Sequence, residues 1–523
     1  MTNIKDKINE IYKKIYNIMF KEEIEKENIF FVISTFIIYM LIICVSSMFH
    51  EAWADEAQAW LIARDLSPWG IIKQMRFEGH SCMWHFMLLP FAKLGLPFDW
   101  IKIIPIISAG ITGYLVLKKS PFNRLTKLCI LFSSTFLYYM PVIVRPYSLL
   151  PLMITIISIM NKDKRKYQIL YGVVLAVIAN IHILMLPFAG MLFLYNYGKD
   201  FIYQRKNWSK ETKKKILIGS FIAILGMIFI VAQAVAGYFC SIVRNTPVNP
   251  NFFESFSVII NDIIRYIMGE EYIKYAYIIS LSVIVCILVH SFGVSRWHGA
   301  IFFVELIGFF AVMLFIWNSV LNQRAAIIFL LFYYYAWNYR YDINKIILEN
   351  KKHKLIISNI TMVILLVISM LSLKNTYKLI LDEIRMAYSP AKEMAKYIDE
   401  NIEKESVFLS KNSLYVVNVI AYLNDNKHIF YEVLNDRTFT YKIWDNMRWQ
   451  FSLNVYGQAV MGIKEKDIYI IESVYSNQTL EEIYLYISPG LKQNTKLIYE
   501  TTETIEGKKM YLWKVNSLVT GNF

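Results

Sequence analysis

Charge is scarce in this sequence. Only 18% of its 523 residues are Asp, Glu, Lys or Arg, 56% are hydrophobic, and the mean hydropathy is positive at +0.38. That balance excludes an ordinary soluble globule. Cysteine is scarcer, with five residues at no spacing that ligates a metal. The last 150 or so residues contain no CxxC, no GxSxG and no glycine-rich phosphate loop, so that block shows no chemistry of its own. Internal repeats and low-complexity linkers are absent. A net charge of +14 would suit nucleic acid, but most of the lysines lie between apolar runs, where lipid headgroups explain them. The bilayer is the expected partner and nucleic acid is not.

Long apolar runs are what the chain has in place of charge. Counted against the thickness of a bilayer they give roughly eleven spans, near 29–49, 100–117, 127–143, 146–160, 168–182, 183–198, 216–238, 275–295, 299–319, 323–338 and 355–373. The pair 168–198, broken by Asn180, His182 and Pro187, also reads as one long kinked element. The run 80–95 is placed on the outer surface as an amphipathic segment. With that choice the basic stretches at 118–127, 162–166, 205–215 and 340–354 all fall inside. Residues 1–28 read as a cytoplasmic amphipathic helix and the first span as an uncleaved anchor. The fold class expected is thus a membrane-embedded all-α bundle over 29–373, with a first outer loop at 50–99. An extracytoplasmic α/β domain follows over 374–523, with helices at 390–401 and 414–423 and strands at 407–410, 428–431, 468–471, 496–499 and 510–515. The expected placement is a plasma membrane crossed many times, with the N-terminus cytoplasmic.

Against this apolar background, the stretch HEAWADEAQAWLIARD at 50–65 puts Glu51, Asp55 and Glu56 directly behind the first span. Apolar spacing starts a helix at about Asp55. Acids in a first turn can simply answer the helix dipole. Glu51 and Asp55, however, stand four apart and share a face if the helix extends back, a pair able to take a proton or to hold a divalent cation. The outer loops also carry isolated arginines, Arg145, Arg244, Arg265 and Arg324, where basic residues are normally depleted. Snorkelling to headgroups is one reading of them. A phosphate gripped by guanidinium forks is the other. Arg145 is the strongest case, since VRPYS sets Pro146 and Tyr147 beside it at a break between spans. Glu78, His80 and His85 in EGHSCMWHF match no zinc spacing. His80 is therefore kept as a substrate-site candidate.

Taken together, these features resemble the GT-C superfamily of integral-membrane glycosyltransferases. The likeness covers residues 29 to about 370 and the outer domain. It rests on the Asp55–Glu56 pair after the first span, on His80 in an outer juxtamembrane segment that lacks the family's two prolines, and on Arg145-Pro146-Tyr147 opening a span. The resemblance implies transfer of a sugar from a polyprenyl-phosphate donor to a glycan, lipid or protein acceptor outside the cytoplasm, with inversion. Asp55 would be the general base, with Glu56 or Glu51 orienting the acceptor or helping to hold a metal. Arg145, with Arg244 or Arg265, would stabilise the departing phosphate. The resemblance fixes no cofactor, and a divalent metal is compatible.

A transporter or flippase for a lipid-linked saccharide would use outer arginines too, but such proteins carry paired repeats and charges near the membrane midplane. A glycan polymerase or ligase would need no acidic loop after the first span.

Overall fold

Apolar runs of bilayer length fold as helices because hydrocarbon offers no partner to an open N–H or C=O. The computed structural model describes residues 28–516 except 79, 199–207, 241–250, 294–295, 318–319, 321, 349–351, 424–426, 445–455, 457–458, 460–466 and 488–490. Among these it has six helices long and apolar enough to cross a membrane: Ile29–Phe49, Phe98–Lys119, Lys210–Gly237, Glu270–Val289, Arg296–Phe315 and Asn359–Arg385. The chain is a multi-pass membrane protein, mostly helical, with a small C-terminal sheet.

The expected count of about eleven is not reproduced, for local reasons. Residues 127–143 do not form one continuous helix. The helix Arg124–Leu131 ends at Phe132, where the Ser133 hydroxyl donates to the Ile130 carbonyl at 2.7 Å, and a π turn follows at Thr135–Tyr139. Nearly all of this segment is buried, so its hydropathy reflects protein core and not lipid. The 146–160 run is a 3-10 turn, Pro146–Leu149, leading into an 11-residue helix, Leu150–Met160. The 168–198 stretch is two elements, Gln168–Ile181 and Ile183–Gly198. They part at His182, whose backbone is extended at φ −161°. Asn322–Leu348 is a full-length helix, but it buries Tyr333, Tyr334, Tyr335 and Trp337, polar-tipped side chains that lower its hydropathy. The last apolar helix runs on as Lys352–Arg385, well past residue 373.

Two units divide the chain. The first comprises Met1–Ser47, Lys102–Ala234 and Asn245–Ile380, and the second Met48–Ile101, Val235–Arg244 and Leu381–Phe523. Within the first, the helices Gln168–Ile181 and Lys210–Cys240 meet through Gly172 and Gly219, where an added Cβ on Gly172 would lie 2.0 Å from the Gly219 carbonyl oxygen. Small residues permit this approach, and the Asn180 amide fastens it by donating to the Gly226 carbonyl at 2.8 Å.

The second unit holds the acidic segment. Helices Ala54–Asp65, Pro68–Glu78 and Met83–Lys93 pack around Ile62, Ile71, Met75 and Cys82. At 11 residues, Met83–Lys93 is far too short to cross a bilayer. Among its described residues the α/β part has six strands, β1 (Val407–Ser410), β2 (Ile429–Glu432), β3 (Arg437–Thr438), β4 (Ile468–Tyr475), β5 (Thr495–Glu500) and β6 (Lys508–Val515), in the order β3-β2-β1-β4-β6-β5. β1 lies parallel to β2 and β4, and the other pairs are antiparallel. Val407, Leu409, Ile470 and Trp513 fill its core. The expected helices and strands fall within a few residues of those observed.

Candidate functional site

The first span ends at Phe49, and the next residue, His50, is wholly buried. Its Nδ1 lies 2.9 Å from Glu383 Oε1, and its Nε2 is 3.2 Å from both carboxylate oxygens of Glu56. The Tyr388 ring meets the imidazole edge-on, with centroids 5.0 Å apart. Burial alone would push the imidazole pKa down. The two carboxylates outweigh it and raise the pKa to about 10, so both ring nitrogens donate at neutral pH.

Glu56 also accepts the Trp53 N–H at 3.0 Å, satisfying one open donor at the start of the Ala54–Asp65 helix. It is wholly buried and committed to these partners. Asp55, in the same first turn, is only half-buried. Glu51 precedes the helix, so the shared helical face expected for Glu51 and Asp55 does not form. Opposite the helix start, the Ala52 N–H donates to the Tyr422 hydroxyl at 2.6 Å. The β5–β6 turn comes to the same place: the Ile505 and Glu506 N–H groups donate to the carbonyls of Ala387 and Tyr388 at 2.9 and 3.1 Å. Burial pushes the Glu506 carboxyl up; Lys508 opposes this, and the charges of Glu56 and Asp55 add to it.

Further along this helix, Gln58 pairs with the backbone of Lys442 in both directions, accepting its N–H at 2.8 Å and donating to its carbonyl at 2.6 Å. Gln58 and Gln74 both donate to Glu78, at 2.8 and 3.2 Å, so Glu78 braces this contact. The Lys442 ammonium in turn reaches Glu432 at 2.6 Å, both groups wholly buried. His80 stacks on His85 with centroids 5.7 Å apart and bonds the Ser81 carbonyl. Among the described residues no group of three or more His, Cys, Asp or Glu side chains is placed to hold a metal.

The other candidates lie in the first unit. Arg145 is half-buried and caps the Pro146–Leu149 turn in extended backbone. Tyr147 stacks on His182 at 4.9 Å, and its buried hydroxyl has no hydrogen-bond partner among the described residues. His182 Nδ1 accepts the Leu184 N–H at 3.1 Å, which fixes the ring at the helix break. Arg265 donates to Asp262 at 2.8 Å and lies 3.7 Å from Glu270, so its charge is largely answered from within the protein. Arg324 is half-buried near the start of Asn322–Leu348. Arg244 lies outside the described residues. An apolar cavity of about 460 Å³ is walled by Phe256, Ile260, Ile264, Phe302, Phe310 and Phe332, among others.

Sequence reading passed over His50 and Glu383. The first was legible as a histidine six residues before a glutamate, whereas nothing local marks the second. It also passed over Glu305, a lone acid in FFVELIGFF whose Oε2 accepts the Phe188 N–H at 2.8 Å.

No family model matches the chain, and no curated protein matches it. Among solved structures, the crystal structure of ArnT from Cupriavidus metallidurans bound to undecaprenyl phosphate is similar over 94% of this chain and 99% of that one, with a TM-score of 0.47 at 10% identity.

Proposed function

We propose that this protein is a membrane glycosyltransferase that moves a sugar from a polyprenyl-phosphate donor to a glycan, lipid or protein acceptor on the extracytoplasmic face of the cell membrane, with inversion. The observation that carries the reading is the division of labour in one helical turn. Glu56 is buried and bound to His50, and Asp55 beside it stays half-exposed on the same rigid helix start.

In the reaction, the acceptor hydroxyl attacks the anomeric carbon while Asp55 takes its proton. The bond from that carbon to the donor's phosphate oxygen breaks, and the electron pair leaves on the lipid phosphate. The Arg145-Pro146-Tyr147 motif supports assigning the growing charge to Arg145 and a hydrogen bond to a phosphate oxygen to the Tyr147 hydroxyl, which has no partner among the described residues. Arg324 and Arg244 are secondary phosphate candidates, and Arg265 ranks behind them because Asp262 holds it. Glu51 and His80 are assigned to acceptor contact and Glu78 to bracing. The cavity of about 460 Å³ is within the size range of small-molecule sites and is suited by its lining to part of an isoprenoid chain.

The test is sugar transfer by purified protein from a panel of polyprenyl-phosphate sugars, comparing wild type with Asp55→Asn and checking folding by thermal unfolding. Wild-type turnover with a loss of at least about 10²-fold in a folded Asp55→Asn protein is expected, as for removal of a general base. Equal turnover in both would remove Asp55 from the mechanism, and no transfer by wild type from any donor would overturn the assignment.

A further inference from the structure

We propose that His50 is a positioning residue, an imidazolium clamp that sets the helix start bearing Asp55 by bridging Glu56 to Glu383. The inference rests on the reaction proposed above. Two stretches distant in sequence meet at this ring: the exit of the first span, and residues 383–388, which bring Glu383 from the last turn of Lys352–Arg385 and Tyr388, whose carbonyl the β5–β6 turn bonds. The titratable groups facing it are Glu56 from its own loop, Glu383 from the long helix and the Tyr388 phenol. Two buried carboxylates with no cation between them would repel each other, so the charged ring is what lets both lie in the interior.

The Glu56 carboxylate accepts from His50 on one side and from the Trp53 N–H on the other, which ties the first turn carrying Asp55 to the ring. A base misplaced by about 1 Å costs on the order of 10²-fold in rate while leaving remote binding contacts intact. The clamp should therefore act on kcat, not on donor KM.

The experiment measures kcat and donor KM for full-length wild type, His50→Gln, Glu383→Gln and Glu383→Leu. Glu383→Gln keeps an oxygen to accept the Nδ1–H, whereas Glu383→Leu removes it. The expected pattern is a fall in kcat of at least tenfold in His50→Gln and Glu383→Leu with donor KM within about twofold, and recovery to within about threefold of wild type in Glu383→Gln. Wild-type kcat in a folded His50→Gln or Glu383→Leu protein would overturn the proposal, as would a Glu383→Gln protein no better than Glu383→Leu.

Hydrogen exchange over residues 51–60 gives a reading that needs no turnover and also serves if a variant is too unstable to assay. Faster exchange there in His50→Gln, with Glu383→Gln unchanged, supports the clamp; equal protection in all four proteins overturns it. If wild type transfers no sugar, the function proposed above fails, and the clamp is still decided by exchange.

Discussion

A carboxylic acid inside an apolar helix persists only where something uses it. Glu305 is wholly buried, and its Oε2 takes the Phe188 N–H, one of the donors left open where the Leu186–Phe193 helix restarts after His182. Glu305→Ala should cost about 1–3 kcal/mol, because it strands that N–H. Glu305→Gln keeps an acceptor and should cost less; unfolding temperatures in detergent would rank the two. Glu472 makes a second prediction. Burial lifts its carboxyl to about 7, against hydrogen bonds from the Tyr456 hydroxyl and the Lys411 N–H that favour the charged form. Its folded pKa lies above the ordinary 4.5, so the stability it contributes is full below about pH 4.5 and is lost as pH rises through 7. The loss is on the order of a few kcal/mol. Wild type should therefore lose unfolding temperature relative to Glu472→Gln between pH 5 and 8, and parallel curves would contradict this.

Elements in the membrane unit are held by close approach as much as by apolar matching. Gly172 and Gly219 leave no room for a methyl group: their added Cβ atoms would lie 2.0 Å from the Gly219 carbonyl oxygen and 2.3 Å from the Gln168 carbonyl oxygen. Backbone cannot yield as a side-chain tip does, so Gly172→Ala and Gly219→Ala should each destabilise the protein or prevent its folding. Gly190→Ala meets nothing within 4 Å and should be neutral or stabilising by up to about 1 kcal/mol, since alanine is the better helix former. Thermal unfolding of the three variants separates crowding from propensity. At this scale the α/β elements were legible because alternation and turn residues marked them. The break in the 127–143 run was not legible, since a buried segment and a lipid-facing one have the same hydropathy. Only packing shows that Ser133 and Ser134 interrupt it.

At the scale of the whole molecule, the distribution of lysine and arginine in the sequence predicts that residues 48–101 and 381–516 lie outside the cytoplasm. A cysteine introduced by Glu481→Cys in a cysteine-free background should react with a membrane-impermeant maleimide in intact cells, and Lys214→Cys should not. The reverse pattern would invert the orientation and move Asp55 to the cytoplasmic side. Composition and run length by themselves determined that this is a multi-pass membrane protein with a small C-terminal α/β block, because hydrophobic thickness and strand alternation are properties of consecutive residues. They also singled out Asp55 and Glu56, since charge behind a span is conspicuous in one dimension. What only the tertiary structure decided is how deeply each acid is buried and where Glu56 is held. Glu56 is bound through His50 to Glu383, a contact spanning 333 residues, and Glu78 through Gln58 to the backbone of Lys442. A hydrogen bond depends on where chains meet in space, and no local pattern in the sequence encodes that meeting.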